Sequence, residues 1–70
     1  MNDEVENMYL ELTKHPGIGK IKLFQIEILY AACNRISEQY PQSSFKNKVL
    51  KANTCLENIL IFNDPFPIIN

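Results

Sequence analysis

A proline and two glycines divide the chain near the end of its first quarter. The segment reads His15-Pro16-Gly17-Ile18-Gly19-Lys20, and it holds both glycines of the 70-residue protein. Proline disfavours helical conformation in the residue before it, and glycine suits a sharp turn or a positive φ. A helix that precedes this segment therefore ends close to His15, and a new element begins near Lys20.

Hydrophobic periodicity predicts three helices, one before this break and two after it. They span residues 3–14, 20–39 and 44–63, and a non-helical tail covers residues 64–70. Asn2 or Asp3 caps the first helix, Pro41 stops the second, and Ser43 or Ser44 caps the third. The prediction is one all-α domain over residues 1–70, with a short first helix and a long antiparallel hairpin.

Apolar residues cover more of the second helix than one partner helix can bury. They extend over an arc of roughly 200°, whereas a helix with one packing face needs little more than 100°. The third helix also carries apolar residues outside its main stripe, namely Leu50, Ile61 and Phe62. Its lysines, Lys46, Lys48 and Lys51, are expected on the solvent side. We therefore expect a homo-oligomer that buries the remaining apolar surface.

Composition excludes several classes of protein. Apolar residues make up 46% of the chain and charged residues 21%, which is unlike a disordered tail. The net charge of -1 argues against broad capture of nucleic acid, although it leaves room for a local basic patch. No run approaches the roughly 20 apolar residues of a membrane span. We expect a cytoplasmic protein.

Residues that carry catalytic or metal chemistry are few. Cys33 and Cys55 fit no metal-ligand spacing, and the single histidine, His15, has no serine or cysteine near it in sequence. In the predicted hairpin the two cysteines are offset along the axis, beyond the reach of a disulfide. We expect both to be core residues, and we expect no metal, no cofactor and no catalysis.

The turn after His15 has the features of an anion site. A helix N-terminus presents unpaired N–H groups and a partial positive charge, and glycine lets the backbone approach a ligand. The candidate ligand-binding residues are Tyr9, Gly17, Gly19, Lys20 and Lys22. The glycines and lysines would hold phosphate, and Tyr9 would stack on a base. Tyr9 is equally consistent with a core position, and the lysines with a solvated helix start.

The same turn resembles a DNA-binding motif. Pro16-Gly17-Ile18-Gly19 matches the turn of the helix-hairpin-helix motif, with Leu12, Leu23 and Ile26 at its apolar positions. The resemblance implies that backbone amides hold a DNA phosphate. The chain departs from the motif at His15, which replaces an apolar residue, and in the length of the following helix. DNA is therefore an alternative partner.

A second resemblance covers the segment from Ala32 to Phe62. It depends on a Pro-x-Ser turn, an Ala-x-Thr-x-Leu-Glu run and a later bulky residue; these are Pro41, Ser43, Ala52, Thr54, Leu56, Glu57 and Phe62. The segment resembles the helical-hairpin domain of phage proteins that sequester cyclic nucleotide signals of bacterial antiphage defence. This implies an oligomer that captures an anionic nucleotide stoichiometrically at its subunit interfaces, in the host cell cytoplasm if a phage encodes the protein. A helical module that docks a protein partner is the remaining alternative.

Overall fold

The computed structural model describes residues 3–68, and within them the protein is all-helical without a strand. The elements are α1 (Asp3–Leu12), a turn of 3-10 helix (Ile18–Lys20), α2 (Leu23–Gln39) and α3 (Phe45–Phe62). α2 and α3 pack against each other, and α1 packs against both. The predicted all-α class is therefore confirmed. None of the described helices is both long and apolar enough to cross a membrane.

The start of α2 differs from the prediction. The predicted helix begins at Lys20, but the observed one begins at Leu23, because the 3-10 turn and two extended residues, Ile21 and Lys22, come first. The N–H of Lys22 donates to the Gln25 side-chain oxygen at 2.8 Å. A side-chain acceptor three residues along thus fixes the helix start after the turn rather than within it. The first helix likewise ends at Leu12, earlier than predicted.

The ends of α3 are set by local hydrogen bonds. Ser44 is its N-cap, and its Oγ accepts from the N–H of Asn47 at 3.1 Å. This is one of the two predicted caps. At the other end Asn63 has a φ of 58°, in the left-handed region, and its N–H donates to the Ile59 carbonyl. Such a residue stops a helix and reverses the chain. The Asn2 cap predicted for α1 lies outside the described residues.

All three helices contribute to a single core. Its buried members are Val5, Met8, Leu12, Leu29, Ala32, Cys33, Ile36, Ala52, Cys55, Leu56 and Ile59. On each helix they recur at spacings of three and four residues, as expected for one packing face. Both cysteines are buried and free, as predicted.

A polar cluster ties α1 to the other two helices. The prediction that Lys48 faces solvent is wrong: the residue is 4% exposed, and its Nζ donates to Glu4 Oε1 at 2.8 Å. Ser37 Oγ donates to the same carboxylate oxygen at 2.7 Å. The hydrogen bonds from Lys48 and Ser37 lower the pKa of the Glu4 carboxyl. Lys48 is buried because α1 brings a carboxylate to it.

Apolar side chains also remain on the surface, as the width of the apolar arc predicts. Leu23 is 82% exposed and Ile61 71%, and Phe24, Leu50 and Phe62 are each more than half exposed. Surfaces of this kind are often covered by another chain. The oligomer itself remains a prediction.

Candidate ligand-binding cleft

A cleft of about 470 Å³ opens between the last turns of α2, the middle of α3 and the segment after α3. We call residues 64–68 the strap. Its Pro65, Phe66 and Pro67 form one wall, and Arg35 and Lys51 stand on the two helical walls. Small-molecule sites in proteins commonly enclose roughly 300–1,000 Å³. The cleft therefore has room for a small ligand.

The strap reaches the cleft because the chain reverses at Asn63. The Asn63 side-chain oxygen accepts from Gln25 Nε2 at 3.0 Å, so the reversal is anchored to the start of α2. Pro65 and Pro67 cannot extend α3. Beyond the reversal, Asp64 Oδ1 accepts from the N–H of Phe66 at 2.9 Å. This short turn directs the Phe66 ring back toward α2.

Two cations in the cleft lie against aromatic rings. The Arg35 guanidinium carbon is 4.3 Å from the centroid of the Phe66 ring. The Lys51 Nζ is 4.4 Å from the centroid of the Tyr40 ring. Both distances are within the roughly 6 Å of a cation–π interaction. Each pair joins two parts of the chain: Arg35 of α2 meets the strap, and Lys51 of α3 meets the residue that caps α2.

The charge of the cleft is positive. Among the described residues that line it there is no Asp or Glu, so Arg35 and Lys51 are its only charged groups. Gln39, Thr54 and Asn58 add polar side chains. Walls of one charge sign concentrate the electrostatic potential in a cleft. An anion is favoured here, and the aromatic rings offer it a planar apolar surface.

Cys55 contributes to the cleft lining as a protonated thiol. Burial raises the pKa of this thiol, and the positive charge of Arg35 opposes the rise. Cys33, deeper in the core, has its pKa raised to about 12 by burial and by Cys55. Thiols of this kind are poor nucleophiles at neutral pH.

In the predicted phosphate-binding turn, most backbone N–H groups already donate hydrogen bonds within the turn itself. The N–H of Gly17 donates to His15 Nδ1 at 2.9 Å. The N–H groups of Ile18, Lys20 and Ile21 donate to carbonyl oxygens within the turn. Neither glycine has a positive φ, although two glycines in one turn suggest such a conformation. A phosphate would have to displace these hydrogen bonds to reach the four amides.

The two glycines of the turn have different surroundings. A Cβ atom on Gly17 would lie 2.7 Å from Leu60 Cδ1, so this glycine lets the turn approach α3 closely. A Cβ atom on Gly19 would meet nothing within 4 Å. Lys20 and Lys22 are exposed. The turn thus keeps two accessible cations, while its first glycine has a packing role.

Tyr9 lies at the contact between α1 and α2. Its ring stacks on that of Tyr30, with centroids 4.5 Å apart, and it packs against the core. The Tyr30 hydroxyl donates to Glu6 Oε2 at 2.7 Å, and this hydrogen bond is the main reason that the pKa of Tyr30 is raised to about 12. One face of the Tyr9 ring is therefore occupied within the protein.

The described residues provide few groups arranged for catalysis or metal binding. His15 Nδ1 accepts from Gly17, and its Nε2 is 3.9 Å from the exposed Glu57 carboxylate. No group of three or more His, Cys, Asp or Glu within residues 3–68 is arranged to hold a metal ion.

Neither protein-family models nor curated proteins nor solved structures match this chain. The site must therefore be interpreted from its own geometry. Sequence reasoning missed Arg35, Tyr40, Lys51 and Phe66, because each looks ordinary alone and their pairing depends on how the helices pack. Two signals were available in the sequence: Arg35 is the only basic residue of α2, and Phe66 lies between two prolines.

Proposed function

We propose that the protein binds a small anionic nucleotide in the cleft and releases it unchanged. The observation that carries this proposal is the pair of cation–aromatic contacts in a cleft whose described lining has no acidic residue. Arginine and lysine bind phosphate oxygens through charge-assisted hydrogen bonds. Phenylalanine and tyrosine provide faces on which a base stacks. Both components of a nucleotide thus have partners in one cleft.

The biological form of this binding is sequestration. Arg35, Tyr40 and Lys51 lie in the segment that resembles the phage proteins that sequester cyclic nucleotide signals. A protein that acts this way in the host cytoplasm needs affinity and no turnover. The protonated thiols of Cys33 and Cys55 agree with binding alone.

The same proposal includes an antiparallel hairpin and a homo-oligomer. An antiparallel α2–α3 hairpin is supported by contacts at both ends: Gln25, near the start of α2, bonds Asn63 after α3, and Tyr40, after α2, contacts Lys51. A homo-oligomer is supported by the exposure of Leu23 and Ile61. Such an assembly would add a second subunit's surface to the bound ligand.

A thermal-shift screen against nucleotides tests the proposal. The panel holds cyclic mononucleotides, cyclic dinucleotides, linear mononucleotides and a short DNA duplex. A ligand at 100 times its dissociation constant stabilises the native state by about 2.7 kcal/mol, which raises the Tm of a domain this small by about 10 °C or more. We expect a cyclic nucleotide to give this shift. A shift with the duplex alone would instead favour the helix-hairpin-helix alternative, and no shift with any member would refute nucleotide binding.

Matched lysine variants then locate the site. Lys51→Gln removes a cation of the cleft, and Lys46→Gln removes an exposed lysine of α3 outside it. We expect the first to weaken nucleotide binding at least about ten-fold in calorimetry, as loss of a charged hydrogen bond does, and the second to leave it unchanged. Lys20→Glu and Lys22→Glu test the turn. If they abolish binding while Lys51→Gln does not, the nucleotide binds at the turn and the cleft assignment is wrong.

A further inference from the structure

The strap is held in place by few contacts. Asn58 Nδ2 donates to the Pro65 carbonyl at 3.2 Å, and the Phe66 ring lies under Arg35. None of residues 64–68 is buried, and Ile68 is 90% exposed. By contrast, the hinge at Asn63 is anchored by Gln25, which is itself 8% exposed. The segment is therefore firmly fixed at one end and weakly fixed along its length.

These contacts imply a measurable open population. A neutral hydrogen bond of this kind favours the closed state roughly five-fold, and an exposed cation–π contact roughly three-fold. The partial burial of Phe66, which is 36% exposed, adds to closure, and the entropy of ordering the strap opposes it. The open state is therefore a minor one, as in a segment that opens independently of the core. Pro65 and Pro67 restrict the backbone in the open state, so the strap moves as a short stiff unit rather than as a flexible tail.

We infer that the strap is a displaceable wall of the cleft, which opens to admit the nucleotide and closes over it. This inference rests on the proposed function. The strap supplies Phe66 to the cleft, so a nucleotide stacked on that ring makes contacts in the closed state that the open state lacks. Differential contact of this kind shifts the population toward closure. The strap then governs both the rate of entry and the rate of release.

Conformational exchange of the Phe66 ring between the closed and open strap, followed by NMR relaxation dispersion on the full chain, measures the opening without any ligand. The Phe66 amide is unsuitable because its hydrogen bond to Asp64 lies within the strap. Asn58→Ala removes the hydrogen bond to Pro65, and we expect it to speed this exchange about five-fold while the core amides of α3 are unaffected. Arg35→Gln, which removes the cation over the Phe66 ring, should speed it about three-fold. Asn53→Ala is the matched control, because Asn53 is a half-buried asparagine of α3 outside the cleft lining.

Three results in the ligand-free protein would overturn the inference. These are a Phe66 ring with the chemical shifts of an unstructured peptide, exchange of the ring only when the whole core unfolds, and no response to Asn58→Ala. The first would mean that the strap is not closed, and the second that it does not open by itself.

A second arm uses cyclic di-AMP and separates the strap from the proposed function. We expect binding heat in calorimetry together with slower Phe66 exchange. Binding heat with unchanged Phe66 exchange would overturn the strap and leave nucleotide binding intact. Ligand-free opening without binding heat for any member of the nucleotide panel would overturn the proposed function, and closure over a nucleotide with it.

Discussion

The buried Lys48 is the place where a single substitution should reveal how α1 is held. Its Nζ is 2.8 Å from Glu4 Oε1, and the Lys48 side chain is 5% exposed. Lys48→Ala removes the cation and the buried alkyl chain together. We expect it to loosen α1 from both other helices, because the same Glu4 oxygen also accepts from Ser37.

The expected magnitude lies between two limits. Breaking a fully buried ion pair costs about 3–5 kcal/mol, whereas an exposed pair is worth about 0.2–1 kcal/mol. The Glu4 side chain is 36% exposed, so water can partly solvate the carboxylate after the lysine is removed. We therefore expect Lys48→Ala to lower the free energy of unfolding by about 2 kcal/mol. For a domain of this size that corresponds to a Tm lower by roughly 8–16 °C.

Thermal unfolding followed by circular dichroism measures this difference, with two comparison variants. Lys46→Ala makes the same change at an exposed position of α3 and should leave Tm nearly unchanged. Lys48→Met keeps the buried chain and removes only the charge, so it should retain most of the loss, about 1–2 kcal/mol, because that loss arises from the ion pair.

The pH dependence distinguishes an ion pair from simple packing. Because the folded-state pKa of Glu4 lies below its usual value of 4.5, the ion pair stabilises the protein above that value. The stabilisation is lost as the pH falls through the lowered pKa. The difference between wild type and Lys48→Met should therefore shrink in acid. A difference that stays constant with pH, or a Lys48→Ala variant as stable as Lys46→Ala, would refute this account of how α1 is anchored.

Three further outcomes are expected. Leu56 is without solvent exposure, so Leu56→Ala should lower the free energy of unfolding, measured in urea, by about 2–5 kcal/mol. Leu50→Ala, at an exposed position, should lower it by less than about 0.5 kcal/mol, and equal losses would contradict the assigned core. In spectrophotometric titration Tyr30 should ionise only near pH 12, so that its contribution to stability is complete below pH 10 and lost as the pH rises through 12. Tyr30→Phe should remove this late phase, and ionisation of Tyr30 near pH 10 would contradict the Glu6 hydrogen bond. At pH 7 a thiol reagent should label Cys33 only as fast as the protein unfolds, because burial raises its pKa to about 12; rapid labelling of the native protein would exclude this burial.

The points where the helices begin and end can largely be predicted from the sequence, because they depend on residues close together in the chain. Ser44 caps α3 through a bond to Asn47, three residues away, and Pro16 ends the helical pattern of α1. The start of α2 was harder to predict. Lys20 fits a helix by composition, and only the bond between Lys22 and Gln25 and the preceding 3-10 turn place the start at Leu23.

The buried ion pair and the residues of the candidate site were not predictable in the same way. A lysine at position 48 is a surface residue by any local criterion, and it is buried because Glu4 meets it from another helix. The rings of Tyr40 and Phe66 likewise acquire their cations from distant parts of the chain. The local sequence of the turn does predict anion binding, through Gly17, Gly19, Lys20 and Lys22. However, the turn's own hydrogen bonds already use most of the amides that this prediction needed.

The sequence by itself determined that this chain forms helices, where the breaks fall and which faces are apolar, since periodicity, prolines and caps act over one or two turns. Only the tertiary structure decided which polar groups are buried and which cations meet which rings. The physical reason is that these outcomes depend on the packing angle and register of three helices, and residues far apart in the chain determine both. The cleft exists because Asn63 reverses the chain and the strap returns to Arg35.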